Sequence, residues 1–149
     1  MLFSTPCLGS TREDIMCLAK NIYFEAGNQS YMGKKAVAFV TLNRVRSKLY
    51  PNNICDVVWQ HKQFSWTKDG KSNSPRSVKT FSVALAAAIY VYNNYGRVKD
   101  PTRGAIMYHA VYISPYWHRD YKPTVIIGDH IFLKWLFFVV FLTWATATW

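Results

Sequence analysis

Apolar side chains recur with helical spacing over the first two thirds of this chain, and in shorter extended runs after that. From Thr11 to Ala26, Ile15, Leu18, Ile22 and Glu25 share one face, so a carboxylate takes a place on the stripe that should be buried. Ser10 with Glu13 three residues on predicts a capping-box start, and Gly27-Asn28 predicts a left-handed stop. A second helix is predicted from Tyr31 to Lys48. Ala38, Leu42, Val45 and Leu49 form its apolar stripe, and Lys34, Lys35, Arg44, Arg46 and Lys48 its polar positions. After the turn Tyr50-Pro51-Asn52-Asn53, a short helix covers Ile54 to Gln60. Ser74-Pro75 should open another, with Val78, Phe81, Leu85, Ala88 and Tyr92 inward and a stop at Asn93–Gly96. Strands are predicted over Ala105–Ile113 and Thr124–Leu133, the second interrupted by a turn at Gly128-Asp129.

Between the helices, His61–Pro75 is rich in Lys, Ser, Asn and Gly and reads as a loop or small hairpin around Asp69-Gly70. It carries Phe64 and Trp66, and large aromatics on a loop either serve a ligand or fold back on the core. The fold class that follows is α+β and mainly helical, one domain with a small β element. Residues 1–10 read as an N-terminal extension, 11–132 as the domain and 133–149 as an apolar tail. Lys134 is the only charge from Ile131 to Trp149, and the stretch approaches the ~20 residues that cross a bilayer as a helix. Arg119, Lys122 and Lys134 lie on its N-terminal side, which would put the domain in the cytoplasm. A last core element, or a tail packed on the domain, fits the same residues. The first residues lack a basic stretch followed by a long apolar one, so no secretory signal is expected.

Composition narrows the class. Half of the 149 residues are hydrophobic and 17% aromatic, which describes a folded chain. The formal net charge of +10 is spread without long runs, and suits attraction to a polyanion: nucleic acid, an anionic membrane or an acidic wall polymer. Cys7, Cys17 and Cys55 make an odd count without a C-x-x-C pair. The apolar helical contexts of Cys17 and Cys55 favour small core residues over a disulfide or metal ligands.

Chemistry concentrates at Glu25. A carboxylate among Ile22, Tyr23, Phe24 and Ala26 should hold its proton above the ordinary range, as a general acid near neutral pH must. The bland alternative is that it only marks a helix end and reaches water beside Gly27. No phosphate loop, nucleophile elbow or H-E-x-x-H is present, and His61, His109, His118 and His130 are spaced too irregularly for a zinc site. Phe64, Trp66, Tyr108, Tyr116 and Trp117 fall in loops or at strand ends, with Gln63, Ser65 and His109 as polar neighbours. Aromatic platforms beside hydrogen-bonding groups suit sugar rings, which offer an apolar face ringed by hydroxyls. A two-carboxylate glycosidase needs a second acid facing the first, and Asp56, Asp69, Asp100, Asp120 and Asp129 all lack an apolar setting like that of Glu25. A single-acid mechanism follows, in which a hydroxyl of the substrate attacks its own anomeric carbon.

These residues also form an ordered series. Ile22-Tyr23-Phe24-Glu25-Ala26 is followed by Gly33, Ala36-Val37-Ala38, Leu42-Asn43-Arg44-Val45, Pro51–Gln60 and Gln63-Phe64-Ser65-Trp66. Gly104-Ala105, Tyr108-His109-Ala110, Pro115, Trp117, Ile127-Gly128, His130 and Phe132 complete it. The series resembles the SleB-type cell wall hydrolases, the family of spore cortex-lytic enzymes and related phage endolysins, over Cys17 to Phe132. The resemblance implies a lysozyme-like, mostly helical fold acting on peptidoglycan glycan strands as a lytic transglycosylase. It implies Glu25 as catalytic residue, and the aromatic and polar groups noted above give Gln63, Phe64, Ser65, Trp66, Tyr108, His109 and Trp117 as the expected substrate contacts. No cofactor, no metal, no nucleic acid and a monomer go with it. Synthesis in a host or bacterial cytoplasm, action at the wall and membrane contact through Ile131–Trp149 complete the expectation. Amide cleavage, muramidase activity and a degenerate wall-binding module are the alternatives. Many relatives read Glu-Ala-Arg-Gly-Glu where this chain reads Glu25-Ala26-Gly27-Asn28-Gln29, so a cation and a second carboxylate are missing behind the acid.

Overall fold

The structure, a computed structural model, describes residues 11–61 and 63–136. Ser10 and Cys7 lie outside them, as does the apolar sequence beyond Leu136. Four α-helices and three strands follow in chain order: α1 Thr11–Ala26, α2 Tyr31–Arg46, α3 Ile54–Trp59, α4 Val78–Asn94, β1 Met107–Ala110, β2 Tyr121–Ile127 and β3 His130–Trp135. Short 3-10 turns cover Ser65–Thr67 and Tyr116–Asp120. The strands form one antiparallel sheet in the order β1-β3-β2. The mainly helical α+β class is the observed one.

Helix α2 runs through the middle of the domain. Ala36, Val37, Ala38, Phe39, Val40, Thr41 and Leu42 are all buried, so this helix is enclosed on every side instead of presenting a single stripe. Two of its expected surface cations are buried as well: Lys34 is 5% exposed and Arg44 3%. Each is held by polar partners, since a buried charge needs them. Lys34 Nζ donates to the carbonyls of Gly27 and Gln29 at 3.0 and 2.5 Å, tying off the end of α1. Leu49, expected inward, lies past the end of α2 and is 64% exposed.

Helices α1 and α4 pack on one another through small residues. Leu18, Ala19 and Ile22 meet Ala84, Ala87, Ala88 and Val91, and close approach selects alanine at such a contact. The inward face of α4 is therefore set by its alanines. Phe81, Leu85 and Tyr92 flank the contact, and Val78 is 84% exposed. Helix α4 also starts later than Ser74-Pro75 suggests, because Ser77 supplies the cap by accepting from the Thr80 amide at 3.2 Å. Helix α1 stops at Ala26 as expected, but Gly27 does not adopt a left-handed conformation. What opposes a side chain there is space: a Cβ would lie 2.5 Å from the Tyr23 carbonyl. The predicted turn at Gly128 is present, with φ +57° between β2 and β3.

Phe64 and Trp66 take the second of their two readings and fold back against the core, 3% and 6% exposed; Trp66 stacks on Phe24 at 4.6 Å, and its indole N–H donates to Asn21 Oδ1 at 3.1 Å. Cys17 and Cys55 are not separate core residues but a disulfide joining α1 to α3, with Cα atoms 5.3 Å apart across 38 residues of sequence. The spacing of the two cysteines carries no hint of this; the packing of α3 across α1 brings them together. The sheet also runs past the expected domain boundary at Phe132. Leu133 is buried and β3 continues to Trp135, which is the last-core-element alternative for the residues up to Trp135. No helix among the described residues is long and apolar enough to cross a membrane.

Closing a loop of this length should contribute about 2–4 kcal/mol by restricting the unfolded chain. Urea denaturation of the Cys55→Ala protein is expected to show that loss at an unchanged m-value, and dithiothreitol should destabilise the native protein to match while leaving the variant unaffected.

Candidate active site

Three pieces of chain converge on Glu25. The acid is partly buried at the last turn of α1, in a cavity of about 370 Å³ lined by Glu25, Arg44, Gln63, Phe64, Met107, Tyr108, Tyr116 and Trp117. Tyr108, on β1, donates its phenolic O–H to Glu25 Oε2 at 2.8 Å. No other Asp or Glu lines this cavity among the described residues.

The sequence motif Leu42-Asn43-Arg44 explains how β1 is aimed. Asn43 donates to Asp100 Oδ2 and to the Ala105 carbonyl, both at 2.9 Å, and accepts from Tyr95 O–H at 2.7 Å. Asp100 in turn accepts from the amides of Thr102 and Gly104 at 2.7 and 2.8 Å, which shapes the turn leading into β1. Arg44 Nε donates to the Ile106 carbonyl at 2.7 Å, one residue before the strand begins. The guanidinium lies over the rings of Phe64 and Tyr50 at 5.1 and 5.4 Å. Its Nη1, fully buried, has no protein acceptor among the described residues. Helix α2 thus fixes the strand that carries the partner of Glu25, and brings a cation to the same cavity.

Burial pushes the Glu25 carboxyl above its ordinary range; the Tyr108 hydrogen bond and the Arg44 charge pull the other way without cancelling it. Tyr108 is driven well above the usual phenol range, by burial first and then by the Glu25 charge, so it remains a neutral donor. His130 stands beside Tyr108 with ring centres 5.2 Å apart, and its own pKa is lowered by burial. A proton on Glu25 is therefore favoured at higher pH than for a carboxylate in water, and Tyr108 occupies one oxygen while leaving Oε1 for a ligand.

The structure gathers only some of the predicted contacts. Gln63, Phe64, Tyr108 and Trp117 line the Glu25 cavity. Ser65 and Trp66 face a separate hollow with Tyr23, Phe24, Asp69, Lys71 and Arg76. His109 follows Tyr108 on the strand, so its side chain leaves by the opposite face. It pairs with His118 Nδ1 at 2.7 Å and touches Trp117 at a centroid distance of 5.6 Å, supporting the cavity wall from behind. Arg44 and Met107 were not singled out from the sequence. The clue was present in Arg44, a cation on a helix with an otherwise apolar middle. No group of three His, Cys, Asp or Glu side chains among the described residues could hold a metal ion.

The altered residues behind the acid have a local purpose. Gln29 Nε2 donates to Asp129 Oδ2 at 2.9 Å, and Gln29 Oε1 accepts from the Asp129 amide at 3.1 Å. This amide pair clips the end of α1 to the β2–β3 turn. A glutamate at position 29 would set two carboxylates against each other.

A carboxyl with a raised pKa at a helix end, bonded by a neutral phenol in a cavity walled by aromatic rings, is an arrangement able to give and take back a proton. The chain belongs to the cell wall hydrolase family, whose sequence model matches residues 28–133. It is 30% identical over 127 residues to the spore cortex-lytic enzyme of Bacillus cereus, a stretch covering 85% of this chain and 46% of that protein. Identity to the Bacillus subtilis spore cortex-lytic enzyme is 32% over 129 residues, covering 85% of this chain and 39% of the other. The chain thus spans less than half the length of these relatives. The fold matches the crystal structure of the catalytic domain of the Bacillus cereus SleB protein, with a TM-score of 0.70 and 30% identity over 85% of this chain and 93% of that one. It also matches the catalytic domain of the germination-specific lytic transglycosylase SleB from Bacillus anthracis, with a TM-score of 0.71 and 30% identity over 85% and 98%.

Two outcomes are expected. Because the folded protein holds a proton on Glu25 more tightly than the unfolded chain does, Glu25 lowers stability as pH rises through its folded-state pKa. Thermal melts should therefore show Glu25→Gln gaining on the parent protein between pH 4 and pH 7. Gln29→Glu should cost about 1 kcal/mol in denaturant titrations, with part of that recovered in high salt.

Proposed function

We propose that this domain degrades peptidoglycan as a lytic transglycosylase, with Glu25 as its single general acid and base. The observation that carries the reading is Glu25 itself: partly buried, its pKa raised, in an aromatic-walled cavity with no second carboxylate among the described residues. The Bacillus anthracis catalytic domain described as a lytic transglycosylase has the same fold over 85% of this chain.

The chemistry follows from the geometry. Glu25 gives its proton to the glycosidic oxygen as the bond to the anomeric carbon breaks, and Tyr108 then stabilises the carboxylate left behind. A hydroxyl of the same sugar attacks the anomeric carbon and passes its proton back to Glu25. The product is an anhydro sugar, no water is consumed, and the acid is restored. A second carboxylate is needed only to activate water or to form a covalent intermediate, and this route does neither.

In this reading the domain works as a monomer at the wall, and the apolar sequence from Leu136 onward supplies its membrane contact. The Cys17–Cys55 disulfide suits an oxidising compartment outside the cytoplasm where it is made.

The test is product analysis. Purified sacculi treated with the protein should release anhydro-muropeptides, detected by mass spectrometry, and Glu25→Gln should reduce release by at least about 10³-fold while retaining a cooperative melt. Reducing-end sugars would instead make it a hydrolytic muramidase. Lysis that survives Glu25→Gln and stops with a chelator would overturn the reading in favour of amide cleavage, and binding to sacculi without any release would make it a wall-binding module. Activity should decline as pH rises past the elevated Glu25 pKa, since the acid must begin protonated.

A further inference from the structure

The Glu25 cavity does not end at its aromatic wall. Tyr116 and Trp117, which close it on one side, also line a second hollow of about 560 Å³ with Arg119, Asp120, Tyr121, Trp135 and Leu136. Both volumes lie in the range of about 300–1,000 Å³ that small-molecule-sized ligands occupy. Two shared residues make the hollows neighbours along one face.

The floor of the second hollow is a run of rings. Trp117 meets Tyr121 edge to face at 5.7 Å, and Tyr121 meets Trp135 edge to face at 4.9 Å. Tyr121 and Trp135 are direct partners across β2 and β3, so the sheet register sets both rings on one face. The core has no use for this end of β3: Phe132 and Leu133 are fully buried, whereas Trp135 is 41% exposed. Tyr116 is 84% exposed. Arg119 and Asp120, both exposed, add a donor and an acceptor beside the rings.

Resting on the transglycosylase reading above, we propose that this second hollow is a further saccharide subsite, which holds the glycan strand beyond the sugars at Glu25. Pyranose rings lie against Trp135 and Tyr116, and their hydroxyl and acetamido groups bond to Arg119 and Asp120. The occupant is a polymer of sugars and not a single sugar, because the hollow shares its wall with the cleavage cavity and extends it. The second subsite favours long strands over short fragments.

The test measures affinity without turnover, in the Glu25→Gln full chain, against peptide-free glycan strands sorted by length. Replacing Trp135 by Ala should weaken binding of long strands by roughly two- to tenfold, the scale of one lost aromatic contact, and leave a fragment that fills only the Glu25 cavity unaffected. Trp135→Phe should restore most of the loss. Arg119→Ala, at an exposed position without a packing role, should show the same dependence on length, which keeps the test decisive if Trp135→Ala unfolds. Equal losses on long and short ligands, or none on either, would overturn the subsite. Because binding is read without cleavage, a failure of the proposed chemistry shows in the sacculus assay and leaves this measurement independent.

Discussion

Holding a carboxylate partly out of water at the end of a helix is the constraint around which the remaining contacts are arranged. Burial alone would leave Glu25 protonated and inert at that place, and an acid must also survive as an anion during its cycle. Tyr108 and Arg44 supply that tolerance from two other elements, one by a hydrogen bond and one by charge. Each then needs its own support. Arg44, itself buried, donates its Nε–H to the Ile106 carbonyl and lies over two aromatic rings, and in making these contacts it fixes the strand that carries Tyr108. One buried charge thus positions the partner of another.

The same economy holds the ends of the domain together. Lys34 secures the last turn of α1 from within α2, and Gln29 fastens that turn to the β2–β3 hairpin a hundred residues later. The disulfide ties the middle of α1 to α3. Glu25 therefore sits on a helix constrained along its length, which suits a group whose reach to a scissile bond allows little play. Behind the acid, where this chain reads Gly27-Asn28-Gln29, the connection to the hairpin is an amide pair at Gln29.

Much of this was legible in the residues. The span of α1, the placement of Glu25 on its inward stripe, the three-part strand region and the turn at Gly128 follow from periodicity and turn chemistry, which are local. Tyr108, Phe64, Gln63 and Trp117 were readable as aromatic and polar groups in loop or strand-end settings, and they do meet Glu25. Ser65 and Trp66 share that context and fall elsewhere, because one loop can send successive side chains to different faces. The inward face of α4 was misread for a related reason: large apolar residues dominate a pattern, whereas a close helix contact is made by alanines.

By itself the sequence determined the elements, the presence of one misplaced acid and, through its ordered motifs, the family. These depend on spacing along a chain, and spacing is what a sequence records. Only the tertiary structure decided that Cys17 and Cys55 are bonded, that Arg44 and Lys34 lie inside, that Trp66 is core and that β3 continues to Trp135. Most of those outcomes depend on which surfaces approach one another across intervening chain, 38 residues for Cys17–Cys55, 45 for Trp66 and Asn21, and 62 for Arg44 and Ile106. A charged or reactive side chain has the same local signature whether its partner waits in solvent or in the protein, and packing alone distinguishes the two.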